Sequence, residues 1–319
     1  MTDYKTKATD VIKELRQASG LTQEDVAQEG SENEICTTRH YQDIEAGKYV
    51  PGHDILLGIL ERVKSNISEY EAKLHGVDLQ QFNADAERVW DACVGKDFDS
   101  GDTLLAALKQ KPYCNAELFI VQQKVLLLEG IIISGKYRDY PKARAIYTRA
   151  LRLTCHKKLY KNDVLQIKDI YKYEYTQNEI RLLGAIGASE AHIRNYKLAC
   201  KIYDEIYSLL NNFDKYYDVK KKSFPTLCYN HSRGLNSLKN HKRALDVADT
   251  GISFAREIKE QRMVGYLLGC KAWAMFELKL NDYEPVFKEA YMMLEMFGYT
   301  SSMKTFKAYA EKCEVALGD

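Results

Sequence analysis

What this chain of 319 residues has little of narrows it first. Proline occurs five times and glycine 18 times, so the dense turn punctuation of an all-β protein is missing and helix is favoured. No stretch reaches the ~20 apolar residues that a membrane span requires. The longest, Val125 to Ile133, is broken by Glu129 and Gly130. The opening MTDYKTKATDVIKELRQ is charged and holds no apolar signal core, which predicts a cytoplasmic protein with no membrane partner. Eight cysteines (Cys36, Cys93, Cys114, Cys155, Cys200, Cys228, Cys270 and Cys313) form no CxxC pair; they read as small buried hydrophobes in a reducing compartment. HExxH, GxSxG and GxxxxGK[ST] are all missing, and the seven histidines are dispersed. No catalytic residue, metal or cofactor is therefore expected, and the chain does not read as an enzyme. A net charge of +1 excludes a general polyanion binder, so any nucleic-acid contact must come from a local patch.

What is present is helical periodicity. The length is about twice that of a usual domain, which leaves two domains or one extended array open. In the first 65 residues, Val11, Ile12 and Leu15 share one face, and Gly20 stops that helix. Thr22 caps LTQEDVAQ, whose acidic first turn suits the helix dipole and whose inner face is Val26 and Ala27. After a polar EGSENE segment comes ICTTRHYQDIEAG (35–47), a short helix with Ile35, Tyr41 and Ile44 as its apolar anchors. KYVPGHD then turns the chain, and Ile55, Leu56, Ile59 and Leu60 join the same core.

The residues Ile12, Leu15, Arg16, Gly20, Leu21, Thr22, Gln23, Ala27, Ile44, Glu45, Gly47 and Pro51 form a pattern that resembles the helix-turn-helix domain of the Xre/Cro repressor family. It departs from that family between Ala27 and Thr37, where about four extra residues enlarge the turn. Related peptide-sensing regulators often carry this variant, with a cysteine where Cys36 stands. The resemblance implies that 35–47 is a recognition helix whose N-terminal end, with Thr37, Thr38, Arg39 and His40, enters the major groove of double-stranded DNA. Arg39 has the fork that reads guanine edges, and threonine can donate to a base or touch a thymine methyl. Gln42 lies further along, and by resemblance Gln23 meets the phosphate backbone. Charge runs the other way: through Ser65, eight basic residues against twelve acidic ones leave the segment about −4. A helix-turn-helix used for docking on protein therefore stays open.

The remaining residues repeat. DYPKARAIY (139–147), NYKLACKIY (195–203), NHKRALDVA (240–248) and DYEPVFKEA (282–290) each begin with Asp or Asn and then Tyr or His. Ala or Val follows three positions after the aromatic, and Tyr or Ala four beyond that. KDFDSGDTLLAAL is a degenerate earlier copy, with Phe98 in the aromatic place. Each copy opens a helix and follows another, expected near 116–134, 177–192, 225–238 and 262–280. An extra helix is expected near 161–175 and a terminal one over 301–317. The small residue permits close helix approach, a packing logic that resembles tetratricopeptide repeats. This implies an all-α chain, a helix-turn-helix followed by a right-handed α-solenoid with a concave face.

In 225–238, Leu227, Cys228, Leu235 and Leu238 are expected inward, and Tyr229, Asn230, Arg233, Asn236 and Ser237 on other faces. Asn230 and Arg233 project together, one turn apart. An asparagine satisfies both groups of a peptide bond, and an arginine can pair with a carboxylate. Gln122, Gln123, Asn178, Arg181, Tyr266 and Lys271 are candidates for the same surface, or are solvated polar faces. KYYDVKKKS (215–223) reads as a solvated helix end.

A helix-turn-helix followed by such repeats resembles the RRNPP family of Gram-positive bacteria. That resemblance implies a homodimeric transcription regulator that reads paired DNA half-sites and responds, in quorum sensing, to a short signalling peptide. The implied domains are 1–65 for DNA, 66–80 as a linker helix and 81–319 as repeats with a C-terminal capping helix. A repeat scaffold that binds a protein partner, with the helix-turn-helix as docking module, is the alternative.

Overall fold

The computed structural model of the chain describes residues 2–32, 34–65, 70, 73–74, 79–115, 118–155, 159–162, 164–213, 216–298 and 300–317. They divide into two compact units, Met1–Tyr137 with Arg152–Lys157 and Arg138–Leu151 with Lys158–Asp319. The fold is all-α save for a two-residue-per-strand hairpin.

The first unit begins with α1 (Thr2–Ala18), α2 (Gln23–Ala27), α3 (Thr38–Glu45) and α4 (His53–Arg62). Local chemistry sets these boundaries. Gly20 adopts a φ of +70° after α1, a conformation that favours glycine. Thr22 and Asp25 form a reciprocal capping box on α2. The apolar faces of all four helices meet in one core, with Ile12, Val26, Ala27, Tyr41, Ile44 and Ile59 fully buried. Tyr70 and Leu74 belong to the same core. Most of the expected linker helix over 66–80 lies outside the described residues. Ile35 packs against the core from outside α3, in the enlarged turn, where its backbone N–H donates to the Ala27 carbonyl at 3.0 Å. α5 (Leu79–Val94), α6 (Phe98–Lys109), the short α7 (Pro112–Asn115) and α8 (Phe119–Gly135) close around a second core of Phe82, Val89, Leu105, Leu128 and Ile132.

The second unit holds α9 (Tyr140–Arg152), α10 (Gln177–His192), α11 (Tyr196–Asn212), α12 (Tyr217–Ser237), α13 (His241–Glu257), α14 (Gln261–Glu277), α15 (Tyr283–Met296) and α16 (Thr300–Lys312). From α10 to α16 each helix packs on the next in sequence order, and α10 and α12 also reach α12 and α14 respectively. That nearest-neighbour packing is the mark of stacked helix pairs. The repeat signature maps onto it position by position. Asp97, Asn195, Asn240 and Asp282 are the N-cap residues of α6, α11, α13 and α15, and Asp139 accepts from the Lys142 N–H at 3.0 Å at the start of α9. The small residues Ala143, Ala199 and Ala244 are fully buried. So are Ala248 and Ala290 at the last signature position, and Tyr147 and Tyr203 there are 2% and 1% exposed.

Three expectations need correction. The segment near 161–175 forms an antiparallel hairpin (Tyr160–Lys161 with Val164–Leu165) and a 3-10 helix (Ile167–Lys172) in place of one α-helix. Asn162, at a φ of +48°, supplies the turn. The helix expected over 225–238 starts two turns earlier, at Tyr217, and runs through Pro225. Phe224 drives this: it is fully buried, with ring centroids 5.3 Å from both Tyr207 and Phe254, and that burial outweighs the helix hydrogen bond that proline cannot donate. Leu238, expected inward, terminates the helix and is 43% exposed.

The helix spacing makes opposite outcomes testable at two glycines. A Cβ at Gly251 would lie 2.7 Å from Cys228 Cβ and 2.9 Å from Leu267 Cδ2, whereas at Gly184 nothing lies within 4 Å. Gly251→Ala is expected to destabilise by about 2 kcal/mol and lower Tm by roughly 5 °C. Gly184→Ala is expected to stabilise by up to about 1 kcal/mol through helix propensity. Thermal unfolding of the two variants checks both signs.

Candidate functional site

One carboxylate organises the head. Glu45, at the end of α3, accepts from Arg16 Nε at 2.6 Å, Arg16 Nη2 at 3.2 Å and Gln23 Nε2 at 2.7 Å. Arg16 uses its third arm, Nη1, on the Leu21 carbonyl at 2.8 Å. Three helices are thus tied through one group, and its side chains are almost dry (13% exposed for Arg16, 4% for Glu45). Burial alone would raise the Glu45 pKa, but the hydrogen bonds from Arg16 and Gln23 override it and hold the carboxyl below its ordinary range. Gln23, expected at a DNA phosphate, has its side-chain amide committed to this clamp.

The clamp holds α3 with one face out. The Arg39 side chain is 77% exposed, with Nε 3.6 Å from Asp43 Oδ2. Gln42 is half-buried and makes no side-chain hydrogen bond with a described residue. His40 lies beside Tyr49, ring centroids 5.6 Å apart. Thr37 is exposed and caps the helix, its Oγ1 accepting from the His40 N–H at 3.2 Å. The Thr38 N–H donates to Glu29 Oε2 at 2.9 Å, so the first helical amide carries a carboxylate from the enlarged turn. The residues brought together on this surface are therefore Thr37, Thr38, Arg39, His40 and Gln42, with Gln23 turned to the clamp.

Sequence reasoning passed over Lys48 and Glu29. Lys48 Nζ sits 2.7 Å from Asp43 Oδ1, and chiefly that bond holds the Asp43 carboxyl below its ordinary range. Its place just after the glycine that ends the motif was the available signal. Glu29 gave none, because its partner depends on how the enlarged turn folds.

In the repeats, Gln122 lies on α8 of the first unit and is half-buried. Its neighbour Gln123 is not available: it is 1% exposed, and its amide donates to Thr154 Oγ1. The other seven candidates lie in the second unit. Asn178 and Arg181, on α10, are half-buried. Tyr229, Asn230 and Arg233 share a face of α12. Tyr229 and Tyr266 pair with centroids 5.3 Å apart, and the Arg233 guanidinium carbon lies 6.0 Å from the Tyr229 ring centre. Asn230 is half-buried and has no side-chain hydrogen bond to a described residue. Lys271 is paired with Asp249 at 2.7 Å. Asn236, expected on a polar face, is buried; its amide donates to the Cys270 carbonyl at 3.0 Å, and its Oδ1 lies 3.0 Å from His241 Nδ1. It joins α12 to α13 and α14 and is structural. Among the described residues no cluster suits a metal ion, and no helix is long and apolar enough to cross a membrane.

Comparison with known proteins fits this arrangement of helices. No protein-family model matches the chain, and no curated protein does. Solved structures do. PlcR of Bacillus thuringiensis, solved in complex with the peptide PapR7 and DNA, is 18% identical at a TM-score of 0.56, covering 97% of this chain and 99% of that one. Apo ComR from S. thermophilus is 16% identical at 0.54, covering 97% and 99%. ComR from Streptococcus vestibularis, in complex with its cognate signalling peptide XIP, is 14% identical at 0.53, covering 98% and 100%. The chain has the fold of these helical regulators over nearly its whole length.

The clamp carries a pH dependence. A carboxyl whose folded pKa is depressed stabilises above its unfolded pKa, and that stability is lost as pH falls through the folded value. Arg16→Ala is expected to cost about 3 kcal/mol at pH 7 by leaving Glu45 buried and unpaired. Glu45→Gln is expected to flatten the stability-against-pH curve below about pH 4.5. Urea unfolding at several pH values checks both.

Proposed function

We propose that this chain is a cytoplasmic, homodimeric DNA-binding transcription regulator whose repeats bind a short signalling peptide that alters DNA binding. In this reading residues 1–65 read DNA, 66–80 couple, and 81–319 form the peptide receptor; the chain is not an enzyme. The observation that carries the reading is the solvent-facing surface of α3: a clamped helix presents Arg39 with Thr38 and Gln42. That surface occurs in a chain similar along its length to PlcR solved with a peptide and DNA. Arg39, Thr37 and Thr38 are assigned to base edges, and His40, Gln42 and the α2 N-terminus to flanking contacts. Asn230, with Asn178, Arg181, Tyr229, Arg233, Tyr266 and Lys271, is assigned to the peptide.

The acidic balance of the head favours a second reading, a protein-docking module on a repeat scaffold. One experiment separates them: incubate the protein with sheared genomic DNA of its source at physiological salt and sequence what is retained. Discrete sites with paired half-sites support the regulator. No enrichment, with and without added peptide extract, supports docking. Arg39→Ala is expected to abolish site preference with Tm unchanged, because the side chain makes only an exposed pair; preserved preference removes Arg39 from base reading.

Glu29 gives a prediction of opposite sign. Its carboxylate stands on the first amide of α3, where a DNA phosphate or base edge would approach, and like charge opposes that approach. Glu29→Gln keeps an oxygen for the amide and removes the charge. It is expected to tighten binding to mixed-sequence duplex by about threefold to tenfold at low salt, an effect that shrinks as salt rises. Fluorescence anisotropy at several ionic strengths reads this directly.

A further inference from the structure

Several buried or half-buried cations in this protein have carboxylates. Arg16 has Glu45, Lys124 has Glu87 at 2.8 Å, and Lys271 has Asp249 at 2.7 Å. Lys220 and Arg233 depart from this: Lys220 donates instead to Asn211 Oδ1 at 2.7 Å and lies over the Phe224 and Phe254 rings; Arg233 has no such amide acceptor among the described residues. It is half-buried on α12, and among the described residues no carboxylate pairs with it. The groups that act on its guanidinium are the Tyr229 and Tyr203 phenols and the Cys270 thiol, all neutral at physiological pH. The Tyr203 hydroxyl is itself buried and lacks a hydrogen-bond partner.

His192 lies in the field of Arg233. His192, whose ring stacks on Tyr140 at 4.1 Å, is pushed down to about 4, first by desolvation and then by Arg233 and Arg138. It is therefore neutral at pH 7 and does not repel the guanidinium. A partly desolvated guanidinium without a counter-ion is costly, and its planar fork matches a carboxylate. Beside it stand two things a peptide uses: the Tyr229–Tyr266 aromatic pair and, one turn away, the unengaged Asn230 amide.

We infer that Arg233 is an anchoring residue for a ligand carboxylate, so that the ligand of the repeats is a peptide with an acidic group, its free C-terminus or an Asp or Glu side chain, seated against Tyr229 and Tyr266. This rests on the reading of the repeats as a peptide receptor. It narrows that reading, since an extended peptide could be held by amide contacts alone.

Two measurements on the full chain test it. The first needs no ligand: Arg233→Met removes an unpaired charge and is expected to raise Tm by a few °C, whereas Arg16→Met lowers it. A fall in Tm for Arg233→Met would mean that the guanidinium has a partner within the fold, and would overturn the proposal. The second is affinity selection from four mixed heptapeptide pools, with free or amidated C-termini and with or without Asp and Glu. Pools bearing a carboxylate are expected to be retained about tenfold over the amidated, acid-free pool, and Arg233→Met is expected to erase that ratio. Asn230→Ala is expected to weaken all pools together. The amidated and acid-free arms show which carboxylate is read. Equal retention of all four pools by the unaltered protein, or a ratio that survives Arg233→Met, sinks the proposal and leaves the receptor reading standing. Retention of none removes the receptor reading and the proposal with it.

Discussion

The head depends on a direction that its apolar core cannot supply. α3 is eight residues long and buries two side chains deeply, Tyr41 and Ile44. Hydrophobic burial holds such a helix against its neighbours, but it is non-directional and tolerates rotation about the helix axis. Glu45 removes that freedom, because three hydrogen bonds from two other helices converge on one carboxylate. With Glu45 fixed, Arg39 has to point outward. The exposed surface of α3 is therefore a consequence of a buried ion pair elsewhere on the same helix.

That surface is electrostatically mixed. Arg39 and Lys48 both lean on Asp43, and the amide end of the helix is covered by Glu29. A head of about −4 gains little from general attraction to a phosphate backbone, and such attraction supplies most non-specific affinity. On the regulator reading proposed above, affinity comes from a few geometrically fixed contacts and from two heads, each needing the other. The acidic composition that argues against a simple DNA binder is also what makes a dimeric, site-dependent one consistent.

Most of the fold was legible because its determinants are local. Thr22 with Asp25, Thr176 with Glu179 and the Asp or Asn opening each repeat act within three residues of themselves. The alanines at the repeat signature lie at buried positions, as the periodicity required. What stayed hidden depends on partners far along the chain. Gln123 and Asn236 have the polarity of surface residues, but Thr154 and the Cys270 carbonyl, 31 and 34 residues away, draw them inside. Pro225 signals a helix start in sequence. Only the aromatic packing of Phe224 explains why the helix begins eight residues earlier. In the head, the candidate residues were legible as a patch, but the commitment of Gln23 to Glu45 was not, since it spans 22 positions.

Two arginines show how a structural residue and a site residue part company. Arg16 and Arg233 are both partly buried on helices and present the same fork. Arg16 has every arm spent inside the chain, on Glu45 and the Leu21 carbonyl, so its charge is balanced in the folded protein. Arg233 meets aromatic and thiol groups, all neutral at physiological pH. Selection for stability alone would replace such a residue with an apolar one of similar volume, because an unpaired charge costs more to bury than the packing returns. Its presence is therefore accounted for by a state in which the charge is balanced, and within the described residues nothing balances it. In the proposal above, the balancing charge arrives with the ligand.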